Sequence, residues 1–129
     1  MSKNPKRRIV IVDDDEDLQF ILTGWLKGRY EVINLISGED MLAELAFLEP
    51  DLVILDVMLP DANGFSLCRS IRSDRRFIGL PVLFLTGLNS NDDFIKNLKA
   101  GGSAYLTKPV ERAQLLSSIQ GLLMEASLR

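Results

Sequence analysis

Residues 51–64 read DLVILDVMLPDANG, and the unbroken apolar run at 52–55 decides the architecture. A strand wetted on one face alternates apolar with polar residues, whereas a strand covered on both faces stays apolar throughout. Leu52, Val53, Ile54 and Leu55 follow the second pattern, which predicts the centre of a parallel sheet with helices on both sides. The run ends at Asp56, and Gly64 marks the turn into a helix.

Outward from this centre, further strand-like runs are expected at 8–12, 30–36, 81–85 and 104–107, with the central strand at 52–56. Segments with helical spacing separate them. Leu18, Ile21, Leu22, Trp25 and Leu26 share one face of the first helix, and Met41, Leu42 and Leu45 repeat the spacing in the second. Phe65, Cys68 and Ile71 mark the third, Ile95 and Leu98 the fourth, and Leu115, Leu116, Ile119, Leu122 and Leu123 the fifth, expected over about 111–125. Strict strand–helix alternation predicts an α/β sandwich of three layers with right-handed crossovers. Residues 1–7 read as a lead-in, 8–125 as one domain and 126–129 as a tail.

Composition fits a single soluble domain: 129 residues, 47% hydrophobic and 26% charged. A net charge of −3 gives no electrostatic reason to expect direct nucleic-acid binding. The basic opening Lys3, Lys6, Arg7 and Arg8 reads as a solvated lead-in, and Arg69, Arg72, Arg75 and Arg76 as cations complementing the end of the third helix. Cys68 is the one cysteine and histidine is absent, which excludes an internal disulfide, a Cys/His zinc site and a histidine phosphoacceptor. Without a membrane-length apolar run or a signal-peptide pattern, a cytoplasmic setting is expected.

Ligands of open parallel sheets gather at the carboxyl ends of the strands. There the sequence places Asp13 and Asp14 after the first strand, Asp56 after the third, Thr86 after the fourth and Lys108 after the fifth. Clustered carboxylates repel, and an all-oxygen donor set suits a hard cation such as Mg²⁺. Carboxylates, a divalent cation, a lysine and a hydroxyl are the parts of a phosphoryl-transfer site, with Asp56 as the nucleophile candidate. Asp15, Glu16 and Asp17 read as acids favouring the first turn of the following helix.

Asp13-Asp14, Asp56 within DLVILDVMLPDANG, then FLTG at 84–87 and YLTKP at 105–109 resemble, in order and spacing, the receiver domain of two-component response regulators. The resemblance spans about residues 8–123. It implies a flavodoxin-like, doubly wound five-stranded sheet of order 2-1-3-4-5 with five helices. It further implies that Asp56 accepts a phosphoryl group and that Asp14 binds Mg²⁺ directly, Asp13 mainly through water and Met58 through its backbone carbonyl. Lys108, joined to Pro109 by a cis peptide, would pair with the phosphoryl group. Thr86 would turn toward that group, with Tyr105 following from an exposed to a buried rotamer and changing the surface of the fourth helix, fifth strand and fifth helix.

The implied partners are a histidine kinase or phosphotransfer protein, and downstream either another protein or an attached output domain; a phosphorylation-dependent dimer also fits. Ser103 and Ala104 stand where the family commonly has acids, and Val110 stands where regulators that bind DNA often have Phe. The alternative is a phosphorylation-independent interaction module on the same fold. An aspartate-nucleophile phosphatase would want a second Asp at the position of Met58, and a flavin binder would want a phosphate loop after the first strand.

Overall fold

The computed structural model describes residues 6–128, so residues 1–5 of the lead-in and residue 129 of the tail lie outside the described residues. Strands β1 (Arg8–Val12), β2 (Glu31–Leu35), β3 (Leu52–Leu55), β4 (Val82–Thr86) and β5 (Ala104–Thr107) alternate with helices α1 (Glu16–Leu26), α2 (Gly38–Leu48), α3 (Gly64–Ser73), α4 (Asn91–Ala100) and α5 (Arg112–Ser127). The strands form one parallel sheet in the order β2-β1-β3-β4-β5. A short 3₁₀ turn, Arg75–Phe77, follows α3, and α5 continues past Glu125, where the pattern ended it.

Every residue of β3 is buried, and the alternation along the strands sorts side chains to two faces. Val10, Val12, Val53, Leu55, Val82 and Phe84 meet Met41 and Leu45 of α2, Phe65 and Ile71 of α3, and Ala100 of α4. On the other face Ile9, Ile11, Ile54, Leu83 and Leu85 meet Leu22 and Leu26 of α1 and Leu115, Ile119 and Leu123 of α5. Each such side chain contributes about 1.5–3 kcal/mol when fully buried, so the two layers account for most of the cohesion.

Local chemistry fixes where the helices start. The Asp15 carboxylate accepts from the Leu18 N–H at 3.0 Å and opens α1, while Asn63 accepts from Phe65 and Ser66 and opens α3. Ser90 and Asp93 form a capping box on α4, and Gly101 ends that helix in the left-handed region at φ 86°. The start of α2 is held from a distance: Asp61, in the loop after β3, accepts from the Gly38 and Glu39 N–H groups at 3.0 and 2.9 Å.

Two expectations require correction. Ile95 and Leu98 share a face of α4, but that face is turned to solvent, at 46% and 60% exposure, because the helix meets the sheet through buried Asn97 and Ala100. Ile21 and Leu42 are likewise outside, since the sheet contacts of α1 and α2 are made by Leu22, Leu26, Met41 and Leu45. The basic group does stand at the end of α3, with Arg72 in its last turn, and it also makes contacts beyond the helix. Arg72 donates to the carbonyls of Gly101 at 2.9 Å and Phe77 at 2.8 Å, tying α3 to the α4–β5 turn, and Arg76 pairs with Asp74.

Candidate functional site

The sheet order reverses direction between β1 and β3, and the two strand ends are locked together by the Asp56 N–H, which donates to the Val12 carbonyl at 3.0 Å. This bond brings Asp13 and Asp56 to one rim. A second bond, from the Lys108 N–H to the Thr86 carbonyl at 2.8 Å, sets the end of β5 beside β4. Lys108 lies one residue beyond β5, and its peptide bond to Pro109 is cis.

Asp13 and Asp56 are buried at 3% and 6% exposure, whereas Asp14 faces solvent. Oxygens of all three carboxylates fall within 4.8 Å of one another. At that spacing each like-charge pair repels by about 3 kcal/mol at an effective dielectric of about 20. Lys108 reaches into the group, its Nζ lying 2.9 Å from Asp13 Oδ2 and 3.0 Å from Asp56 Oδ2. One ammonium offsets part of a threefold repulsion, and the remaining charge with its all-oxygen donors suits a hard divalent cation. The residues therefore fit Mg²⁺ chemically: carboxylates on two strand ends, no soft ligand, and an exposed acid on the open side.

Backbone donors hold the acids in place. The Asp15 N–H donates to Asp13 Oδ1 at 2.9 Å, and the Met58 N–H lies 3.3 Å from Asp56 Oδ1. Met58 itself projects outward at 66% exposure. Thr86 is buried, and its Oγ1 accepts from the Leu88 N–H at 3.4 Å, while the Leu88 carbonyl accepts from the Tyr105 hydroxyl at 2.7 Å. The Tyr105 ring is half-buried, 6.2 Å from Phe84 and 6.3 Å edge-on from Phe94. Asp13, Asp14, Asp56 and Lys108 thus converge, and Thr86 and Tyr105 meet one another at Leu88.

Burial raises Asp13 above the usual carboxylate range, outweighing the lowering by the Asp15 N–H and by Lys108. For Lys108 burial acts downward, but hydrogen bonds to Asp13 and Asp56 win and its pKa rises. Burial also raises Tyr105, with the charges of Asp93 and Asp56 adding to it. A raised acid binds its proton more readily folded than unfolded, so ionised Asp13 costs stability at neutral pH, and the cost disappears as pH falls through the raised value. Asp13→Asn is accordingly expected to stabilise the metal-free protein by about 1 kcal/mol, as removal of strained functional groups commonly does. Thermal unfolding at pH 7 with a chelator present checks this; an unchanged or lower melting temperature contradicts it.

An open cavity of about 540 Å³ adjoins Asp14, between the starts of α1 and α2. A cavity of about 570 Å³ lies at the opposite rim, beside Pro50 and Pro81, and contains none of these groups.

Two contributors escape a reading by strand ends. Gly64 begins α3 at an ordinary φ, and a Cβ there would overlap the Asp56 carbonyl and lie 2.8 Å from Val57 Cα. Gln19 is 4% exposed on α1, on the stripe of Leu22 and Leu26. Its polarity at a position that the spacing assigns to the core is the signal that marks it.

The family model described as response regulator receiver domain matches residues 9–120. The transcriptional regulatory protein GltR of Pseudomonas aeruginosa is 40% identical over 121 residues, covering 93% of this chain and 50% of that protein. RpaA of Synechocystis, named a DNA-binding dual master transcriptional regulator, is 37% identical over 117 residues, 90% of this chain and 48% of its own length. The chain thus spans about half the length of these relatives. Among solved structures, a CheY-like response regulator receiver domain protein from Methanospirillum hungatei superposes with a TM-score of 0.88 at 31% identity, covering 95% of this chain and 97% of that one. Matching sequence and sheet order lead to one conclusion: the chain belongs to the response regulator receiver domain family.

Proposed function

We propose that this domain takes a phosphoryl group onto Asp56 from a phosphohistidine on a histidine kinase or phosphotransfer protein. The observation that carries the reading is the bridging of buried Asp13 and Asp56 by the Lys108 ammonium. An Asp56 carboxylate oxygen attacks phosphorus, the P–O bond forms as the P–N bond breaks, and the electron pair leaves with the imidazole. Asp13, Asp14, Asp56 and the Met58 backbone carbonyl would hold Mg²⁺, which supplies neutralisation of phosphoryl charge when bound. Lys108 orients Asp56 beforehand and donates to a phosphoryl oxygen afterwards. Water later cleaves the acyl phosphate, so the chain resets itself and acts on no separate metabolite.

The signal leaves by way of Leu88. If Thr86 turns its hydroxyl to the phosphoryl group, the Leu88 N–H loses its acceptor, and the Leu88 carbonyl carries the change to Tyr105. Tyr105 meets Phe94 edge-on, beside exposed Ile95 and Leu98, so α4, β5 and α5 present an altered surface to a downstream protein, to an attached output unit or to a second copy. The working unit is residues 8–125, between the lead-in and the tail, acting in the cytoplasm alongside its donor.

Intact mass after incubation with acetyl phosphate and Mg²⁺ tests the proposal. A gain of one phosphoryl group, lost when Mg²⁺ is chelated beforehand, supports it. No gain at any Mg²⁺ concentration, with the fold intact, overturns it in favour of an interaction module independent of phosphorylation.

A further inference from the structure

Gln19 is a buried amide whose polar atoms are unevenly served. Its Nε2 lies 3.0 Å from the Ile11 carbonyl, 3.1 Å from the Asp13 carbonyl and 2.9 Å from the Leu35 carbonyl. Two N–H hydrogens are therefore shared among three acceptors, while Oε1 is buried with no partner. Exchanging the amide ends would aim an oxygen at three oxygens, so the acceptors themselves fix the orientation. An orphaned buried oxygen costs stability, because it gives up its water partners and gains none. An apolar residue of the same volume would avoid that cost and continue the stripe of Leu22 and Leu26.

The contacts identify what the amide holds. Paired register between β1 and β2 ends at Val12 and Leu35, one residue before Asp13. The Asp13 N–H donates to the Leu35 carbonyl at 3.1 Å, and Gln19 grips both that carbonyl and the Asp13 carbonyl. The Asp13 carbonyl belongs to the peptide plane joining Asp13 to Asp14, so anchoring it fixes the direction in which Asp14 leaves the strand. Asp13 is held through its N–H, its carbonyl and both carboxylate oxygens, the last by Asp15 and Lys108. Among the described residues nothing comparable anchors exposed Asp14, which inherits its placement from this peptide plane.

We infer that Gln19 is a positioning residue for the Asp13–Asp14 cation site, setting its affinity through the peptide between the two acids. The inference rests on the proposed use of that site for Mg²⁺. Supporting groups of this kind commonly change metal affinity by 10–100-fold when removed.

The test uses Gln19→Met, which keeps volume and helix propensity, and Gln19→Glu, which keeps shape but turns a second acceptor toward the carbonyls. Mg²⁺ is titrated into each, followed by amide NMR shifts, and phosphoryl uptake from acetyl phosphate is measured at limiting and saturating Mg²⁺. Both variants are expected to weaken Mg²⁺ by about tenfold, slowing uptake at limiting Mg²⁺ while saturating Mg²⁺ restores most of the rate. If either folded variant binds Mg²⁺ as the wild type does, whatever its melting temperature, the inference is overturned and Gln19 serves folding alone. If the wild type itself binds no Mg²⁺, the proposed use of the site fails first and this inference with it.

Discussion

Lys108→Ala is expected to slow phosphoryl uptake from acetyl phosphate by about 100-fold at saturating Mg²⁺, in line with the loss of a donor that meets developing charge. Its ammonium is the cation seen among three carboxylates, touching Asp13 at 2.9 Å and Asp56 at 3.0 Å. Removing it leaves buried Asp13 and Asp56 facing each other without a shared counter-charge. Breaking a buried pair costs about 3–5 kcal/mol, and the 27% exposure of the Lys108 side chain calls for a discount to about 1–3 kcal/mol. Mg²⁺ should restore more stability to the variant than to the wild type, because it supplies the missing positive charge. Melting curves with Mg²⁺ and with chelator, read beside the uptake rate, separate the two effects. An unchanged rate in a folded variant would exclude Lys108 from the chemistry.

Gly64→Ala is expected to destabilise the fold by about 3 kcal/mol, the upper end for forced overpacking. The added methyl meets backbone, not the movable tip of a side chain: the Asp56 carbonyl and the Cα of Val57. The Gly64 N–H also donates to the Val57 carbonyl at 2.7 Å, so helix α3 cannot withdraw without giving up that bond. Any relief of the overlap therefore displaces Asp56 or the start of α3. Urea unfolding checks the stability, and the uptake rate should fall alongside it. A variant as stable and as fast as wild type would show that the close approach relaxes at no cost.

The legible parts of this protein are those where chemistry and periodicity agree. An unbroken LVIL admits few places other than a doubly covered strand, and acids or a lysine immediately after apolar runs mark one rim of a parallel sheet. Burial of Asp13, Asp56 and Thr86 at those ends follows from their positions in the chain. Periodicity shows which residues of a helix share a face, but not which face turns inward. On α4 the sheet receives Asn97 and Ala100, and Ile95 and Leu98 are left in solvent.

Gly64 illustrates a different limit. Composition suggests a turn that needs backbone freedom, whereas its φ is ordinary and the constraint is space beside Asp56. Such a constraint arises only when β3 and α3 are packed together. Arg72 is similar, since its partners at Phe77 and Gly101 are set by the meeting of α3 with the α4–β5 turn.

The most direct test of the central claim is where the phosphoryl group resides. Borohydride reduces an acyl phosphate to the alcohol, so treating the phosphorylated protein and sequencing its peptides by mass should convert Asp56 alone to homoserine, with nothing trapped in Asp56→Asn. Homoserine at Asp13 or Asp14, or persistence of the phosphoryl group in Asp56→Asn, would contradict the assignment of Asp56 as the acceptor.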